Sequence, residues 1–93
     1  MYDLDVKPEA DRIFKKLSKK NRKLLVIIDK KINEMRNNPF HKYKHLRKPL
    51  HGYRRVHIDD SFVLIFKIQH RLEIVEIYYF GHHDEVYQWR TKE

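Results

Sequence analysis

The feature that most constrains this chain is residues 52–68, GYRRVHIDDSFVLIFKI, in which two strand-like stretches flank a short polar break. Residues 53–58 alternate bulky and polar side chains, and residues 62–68 are rich in β-branched and aromatic side chains. The break, residues 59–61, reads Asp-Asp-Ser, and these are typical turn residues. The pattern predicts a β-hairpin.

Alternation along the first strand of this hairpin separates its side chains into two sets. The sets are Tyr53, Arg55 and His57 on one face, and Arg54, Val56 and Ile58 on the other. Neither face is wholly apolar. We therefore expect the face that carries Arg55 and His57 to have a function beyond packing.

Two amphipathic helices are predicted before the hairpin. Residues 2–6 alternate as a short strand, and a helix follows from Pro8 to about Leu17 with apolar residues at helical spacing. Asn21 is suited to cap a second helix that ends before Asn37. The two helices are expected to form an antiparallel helical hairpin.

The remaining segments complete a small α+β fold. We interpret residues 40–49 as a basic loop, residues 72–80 as a third strand of the meander, and residues 82–89 as either a short helical turn or an irregular tail. Alternation would put three residues of the third strand on one face: Val75, Ile77 and Tyr79. The predicted order is βααβββ plus a tail, in one domain spanning residues 1–93. Its small twisted, mostly antiparallel sheet would have the helical hairpin on one face and the other face free.

The charge distribution points to a polyanionic partner. Lys and Arg number 21 against 13 Asp and Glu, which gives a net charge of +8. No acidic residue occurs from position 35 to 58, where these basic side chains fall: Lys42, Lys44, Arg47, Lys48, Arg54 and Arg55, with His41, His45, His51 and His57. The alternative is an ordinary solvated face rich in lysine.

The absence of cysteine excludes a disulfide framework, a thiolate metal site and a cysteine nucleophile. It also fits a cytoplasmic protein. The longest apolar run covers only residues 24–28, so neither a membrane span nor a signal peptide is expected.

Histidine is the side chain best suited to acid and base chemistry here, because imidazole titrates near neutral pH. His57 near the end of one strand and His83 just after another are predicted to meet at the same edge of the sheet. Such a pair could move protons during cleavage of an RNA phosphodiester by its own 2′-hydroxyl. The alternative is that His57 simply packs on Tyr53 or Phe66.

A metal centre is a weaker hypothesis, and no cofactor is predicted. His57, His82, His83 and Asp84 are competent ligands, but the adjacent ligands lack the i, i+4 spacing that aligns them on a helix. Aromatic platforms for base stacking are another candidate feature. These are Tyr53, Phe62, Tyr87 and Trp89, with core or rim packing as the alternative.

The stretch LHGYRRVHIDDSFVLIFKI and the later GHHDEVY resemble the RelE/ParE superfamily of toxins, most closely its YafQ-like mRNA interferases. The resemblance spans nearly the whole chain, including the βααβββ order. It implies that His57 and His83 are catalytic, that Tyr87 is the aromatic residue closing the C-terminal motif, and that His45 is a further active-site histidine. Six basic side chains of the acid-free segment would bind RNA: Lys42, Lys44, Arg47, Lys48, Arg54 and Arg55.

Two departures from the family pattern concern the turn and the apolar strand. Ser61 and Phe62 stand where the YafQ-like pattern has Asp and Trp, so a catalytic carboxylate is missing unless Asp60 substitutes from one position away. Ser61 and Phe62 remain predicted RNA contacts. Val63 stands where other branches place an arginine, so their arginine-centred mechanism does not transfer.

The resemblance implies the toxin of a type II toxin–antitoxin system, a metal-independent endonuclease that cuts mRNA on the ribosome. Its expected partners are the ribosome, mRNA and an acidic antitoxin of the RelB/DinJ type, without a membrane. Two alternatives stay open: a ParE-type poison of DNA gyrase, and a non-catalytic RNA-binding domain of the same fold.

Overall fold

A five-stranded sheet and three helices organise residues 1–90, the part of the chain that the computed structural model describes. In chain order the elements are β1 (Asp3–Val6), α1 (Pro8–Lys20), α2 (Arg22–Asn37), β2 (Lys44–His45), β3 (Arg54–Ile58), β4 (Phe62–Gln69), β5 (Ile74–His82) and α3 (His83–Val86). The strand order is β1-β5-β4-β3-β2, and only the β1–β5 pair is parallel. The α+β class and the βααβββ order are confirmed. The short strand β2 lies inside the predicted basic loop, and α3 shows that the tail begins as a helical turn.

A single residue separates the first two helices. Helix α1 begins at Pro8, as predicted, but continues to Lys20 instead of ending near Leu17. Asn21 then caps α2, because its side-chain oxygen accepts a hydrogen bond from the Leu24 N–H at 3.1 Å. The predicted N-cap is confirmed, and the helical hairpin needs no longer connection.

The main core lies between the two long helices and one face of the sheet. Its fully buried side chains include Ala10, Ile28 and Met35 from the helices and Leu64, Phe66, Val75 and Ile77 from the sheet. Burying a large apolar side chain contributes about 1.5–3 kcal/mol. This core therefore orients the sheet so that its other face points away from the helices.

The predicted hairpin is confirmed as β3 and β4. Its pairs include Arg55 with Ile65 and His57 with Val63. Asp59 and Asp60 in the turn have φ values of 50° and 60°, a left-handed conformation that Asp adopts more readily than most residues.

A β-bulge displaces Tyr79 from its expected face. Ile77 pairs with Phe66, but Tyr79 pairs with Ile65, the residue directly before Phe66 in β4. The extra residue, Tyr78, breaks the alternation of β5. The prediction that Val75, Ile77 and Tyr79 share a face is therefore wrong, since Tyr79 lies on the side opposite the helices.

The expectation that this second face is free is also wrong. A second group of buried side chains, here called the tail-side core, covers much of it; its members are Leu46, Leu50, Tyr53, Val63, Ile65, Tyr78, Val86 and Trp89. The loop before β3 and the segment after β5 fold over the sheet to supply them. The Trp89 indole N–H donates to Glu9 Oε1 at 2.9 Å and ties this segment to α1. Among residues 1–90, no helix has the length and apolarity to cross a membrane.

Candidate active site

Arg55 and His57 form the centre of the candidate site. They lie two residues apart on β3 and share its tail-side face, where Arg55 Nη1 donates to His57 Nε2 at 2.7 Å. Because a guanidinium has only donors, His57 Nε2 is an unprotonated acceptor in this arrangement. His57 is exposed, and Phe66 is buried on the helix side. The imidazole is thus accessible to a substrate.

A basic cleft opens beside this pair. Its cavity of about 380 Å³ is lined by His45, Arg47, Lys48, Arg55 and Tyr87, together with apolar residues of the loop before β3. The name basic cleft is used below for this set of five residues. Leu46 and Leu50 anchor the loop in the tail-side core, and Val86 holds Tyr87 over the cleft. The tail-side core therefore assembles predicted site residues from three separate segments.

His83 lies at the same end of the sheet as His57, on the other side of β4. His57 and Gly81 are both paired with Val63, so their backbones are two strand spacings, or about 10 Å, apart. His83 follows two residues later, and its backbone N–H donates to the Ser61 carbonyl at 3.0 Å. This bond joins the hairpin turn to α3.

Asp84 and His82 surround the His83 side chain. His83 Nδ1 lies 3.0 Å from Asp84 Oδ1, and the rings of His82 and His83 have centroids 4.4 Å apart. The carboxylate is placed to accept a hydrogen bond from Nδ1–H of the His83 ring and so to stabilise an imidazolium.

These three residues also form the one group with metal-ligand donors in proximity that occurs among residues 1–90. One ligand atom from each of His82, His83 and Asp84 lies within 4.8 Å of the others. His82 Nδ1 already accepts the backbone N–H of Asp84 at 3.2 Å, so it is occupied as the cap of α3. We assign the group no metal role below.

The remaining predicted residues are distributed over other parts of the surface. Lys44 pairs with Arg55 and shares its side of the sheet, whereas Arg54 points to the helix side. Phe62 stacks on Phe80 with centroids 5.3 Å apart, also on the helix side. Asp60 is exposed in the hairpin turn. Lys42 lines a second recess together with Arg54 and does not line the basic cleft.

Of the four predicted aromatic platforms, Tyr87 alone is freely accessible. Tyr53 and Trp89 are only 8% and 7% exposed, and they pack edge to face with centroids 5.2 Å apart. Tyr87 is 52% exposed at the rim of the basic cleft. The sequence could not separate these cases, because tail and loop packing decide which rings are covered.

Tyr79 packs against the tail-side core and so supports the site indirectly, a role that the sequence did not predict. It stacks on Trp89 with centroids 5.7 Å apart, and its ring lies over Gly81, where an added Cβ would be 2.9 Å from Tyr79 Cε2. Burial raises the pKa of the Tyr79 hydroxyl, with Glu85 and Glu9 adding to the effect. The available signal was Gly81 itself, since a glycine in a strand often marks close approach by another group.

Known proteins that resemble this chain include toxins and proteins named as toxins. Residues 4–87 match the family model described as the ParE toxin of the type II toxin–antitoxin system parDE. A Methanocaldococcus jannaschii protein named as a candidate toxin, RelE4, is 46% identical over 88 residues, covering 95% of this chain and 93% of that protein.

Two solved structures share the fold at low sequence identity. A chain of the RelBE2 toxin–antitoxin complex from Mycobacterium tuberculosis has a TM-score of 0.72 at 20% identity, with 88% of this chain and 98% of that chain covered. YafQ from Escherichia coli has a TM-score of 0.72 at 18% identity, with coverage of 94% and 99%. The chain therefore belongs to the ParE toxin family of type II toxin–antitoxin systems, within the RelE/ParE superfamily that its motifs resemble.

Proposed function

We propose that this toxin is a ribosome-dependent mRNA endonuclease that uses histidine acid–base catalysis without a metal. The observation that carries the proposal is the exposed His57, hydrogen bonded at 2.7 Å to Arg55, which in turn lines a cavity rich in cations. A phosphodiester is an anion, so the charges of Arg47, Lys48 and Arg55 favour its entry. The cleft is lined by no acidic side chain among the described residues.

His57 is the proposed general base. A phosphate in the cleft offers Arg55 a charged, bidentate acceptor that is stronger than a neutral imidazole. When the Arg55 guanidinium exchanges its hydrogen bond to His57 for one to the phosphate, His57 Nε2 is free to take the proton of the 2′-hydroxyl. The 2′-oxygen then attacks phosphorus, and Arg55 stabilises the charge on the phosphorane.

His83 is the proposed general acid. It donates a proton to the departing 5′-oxygen as the bond from phosphorus to that oxygen breaks, which leaves a 2′,3′-cyclic phosphate on the upstream fragment. Asp84 supports the protonated ring at 3.0 Å before the transfer. The bond from His83 N–H to the Ser61 carbonyl keeps α3 beside the hairpin turn.

The turn and the loop supply secondary roles. Ser61 lacks the carboxylate that the family pattern has there, and Asp60 is the nearest substitute. We propose that Ser61 in place of an acidic residue slows cleavage, while His57 and His83 keep their roles. Lys44, which pairs with Arg55 in the sheet, extends the phosphate contacts. His45, the further active-site histidine that the resemblance implies, lines the cleft, and Tyr87 offers its exposed ring to a base.

A cognate antitoxin and a cytoplasmic location complete the proposal. The fold neighbour from Mycobacterium tuberculosis was solved in a toxin–antitoxin complex. An acidic antitoxin would be attracted by the same charge of +8 that attracts the ribosome and mRNA.

A gyrase poison is the second candidate, because the matching family model is that of ParE. Primer extension on cellular mRNA separates the two functions after expression of the toxin. We expect defined new 5′ ends within translated mRNA. Damage to DNA with intact mRNA would instead favour the gyrase poison.

The His83→Ala variant tests the catalytic assignment. General acid catalysis contributes about 10²- to 10⁴-fold, so cleavage should fall by at least the lower factor and growth inhibition should disappear. Antitoxin binding should remain. His51→Ala is the matched control, since it removes an exposed histidine of the basic segment that does not line the cleft. Undiminished toxicity of His83→Ala would contradict the assignment.

A further inference from the structure

An exposed aromatic stack lies at the end of the sheet opposite the hairpin turn. Phe40 is 75% exposed, yet its ring lies parallel to His70, with centroids 4.7 Å apart and an interplanar angle of 11°. Tyr2 packs edge-on against Phe40 at 6.3 Å. The Phe40–His70 pair is named the aromatic stack below. A large ring held flat in this way presents a face to solvent.

Neighbouring hydrogen bonds hold the stack in place. Tyr2 Oη and His70 Nδ1 are hydrogen bonded at 3.1 Å. The backbone of Tyr2 is tied to the end of α2 in both directions: its N–H donates to the Arg36 carbonyl at 3.0 Å, and Arg36 Nε donates to the Tyr2 carbonyl at 2.7 Å. A ligand therefore meets a preformed surface and spends little free energy on ordering it.

A recess of about 360 Å³ adjoins the stack, within the size range of small-ligand sites. Its lining consists mainly of rings and cations, contributed by Phe40, Lys42, Tyr43, His45, Arg54 and His70. Its lining, as far as the structure describes the chain, contains no acidic side chain. The composition suits a flat base next to a phosphate.

The recess is connected to the basic cleft through β2. His45 lines both cavities, and Arg54 and Arg55 are adjacent on β3, one facing each cavity. The stack and the hairpin turn lie at opposite ends of β4, which has 8 residues and so spans about 25 Å. A strand of several nucleotides could follow this edge of the sheet.

We propose that the aromatic stack and its recess form a second binding site for single-stranded RNA, in which a base lies on Phe40 and Arg54 or Lys42 contacts the adjoining phosphate. The RNA would continue along β2 into the basic cleft. This continuation rests on the proposed nuclease function, whereas binding at the stack does not require cleavage. The recess combines ring faces with positive charge, which suits a base followed by a phosphate.

The test measures binding of a fluorescent 2′-O-methyl oligonucleotide of about ten nucleotides to the whole toxin. This probe cannot be cut by 2′-hydroxyl attack, so the result is independent of the proposed nuclease activity. Stacking of one base is typically worth a 5- to 150-fold change, and we expect Phe40→Ala to weaken binding about 10-fold. Phe40→Trp should retain the affinity. Leu72→Ala is the matched control, because Leu72 is 64% exposed in the turn that carries His70.

The salt dependence separates stacking from charge. Phe40→Ala should leave the slope of log affinity against log salt unchanged, because an aromatic ring releases no counterions. Arg54→Ala should reduce the magnitude of that slope by about one. Single nucleotides of the probe can also be replaced by abasic units. At one position, we expect this replacement to weaken binding to the wild type as much as Phe40→Ala does. The same replacement should not weaken binding to Phe40→Ala any further.

Two results would overturn the proposal: wild-type RNA affinity in Phe40→Ala, and an equal loss of affinity in Leu72→Ala. If Phe40→Ala keeps its RNA affinity and also binds the antitoxin more weakly, the stack is a protein-docking surface instead. A wild type that binds the probe but does not cut mRNA would count against the proposed function and leave the second site standing.

Discussion

We expect Trp89 to determine how firmly the segment after β5 is held on the sheet. The Trp89→Phe substitution keeps a ring that can stack on Tyr79 and contact Tyr53, but it removes the indole N–H that donates to Glu9 at 2.9 Å. Hydrogen bonds to charged groups contribute about 1.5–3 kcal/mol. Glu9 is partly exposed and water can replace the lost donor, so we expect a loss of about 1 kcal/mol. For a chain of this length this lowers Tm by about 4–8 °C.

Thermal unfolding followed by circular dichroism measures this loss. A double-mutant cycle with Glu9→Ala separates the bond from the other effects of Glu9 at the start of α1. In the Trp89→Phe background, Glu9→Ala should lower the free energy of unfolding by about 1 kcal/mol less than it does in the wild type. Full additivity would refute the assigned role of the Trp89–Glu9 bond.

Trp89→Ala removes the ring as well and should act mainly on the tail. Replacing a buried Trp by Ala lowers the free energy of unfolding by about 3–5 kcal/mol when the rest of the fold stays in place around the cavity. The segment after β5 can instead detach, so backbone amides of α3 should exchange hydrogen faster while the amides of β4 keep their protection. Cleavage should fall because His83 and Tyr87 belong to this segment. Unchanged exchange in α3 would contradict the account.

Two further predictions concern Tyr79. Gly81→Ala should lower the free energy of unfolding by about 1–3 kcal/mol, because the new Cβ meets a Tyr79 ring that is stacked on Trp89; a urea titration checks this, and a smaller cost in the Tyr79→Ala background would identify the clash. Burial also raises the Tyr79 pKa in the folded state, so the folded protein holds this proton more tightly and stability falls as pH rises above about 10. Tyr79→Phe should reduce that alkaline loss, measured by urea unfolding at successive pH values, whereas Tyr87→Phe at an exposed position should not; equal curves for the wild type and Tyr79→Phe would contradict the burial effect.

The sequence predicted best those features that depend on local chemistry. Asn21 capped the second helix as expected, and two Asp residues formed the hairpin turn because Asp tolerates the left-handed conformation. Period-two alternation placed Arg55 and His57 together, and the structure joins them by a hydrogen bond.

The features that depend on long-range packing were not predictable. One bulge reversed the face of Tyr79, and nothing in the alternation of β5 announces it. Trp89 folds onto the sheet with the rest of the tail and donates to Glu9, 80 residues earlier, so a ring that looked available for stacking is buried. The face that was expected to be free is therefore mostly covered, and the basic cleft is what stays open. Its catalytic use remains a prediction.

We propose that two histidines catalyse the cleavage of mRNA by its own 2′-hydroxyl. The direct measurement uses purified toxin and ribosomes programmed with an mRNA that carries one 2′-O-methyl group at the cleavage position. We expect the unmodified mRNA to give an upstream fragment whose mass shows a 2′,3′-cyclic phosphate, and the methylated mRNA to stay intact at that position. Cleavage of the methylated mRNA at the same bond would contradict the mechanism.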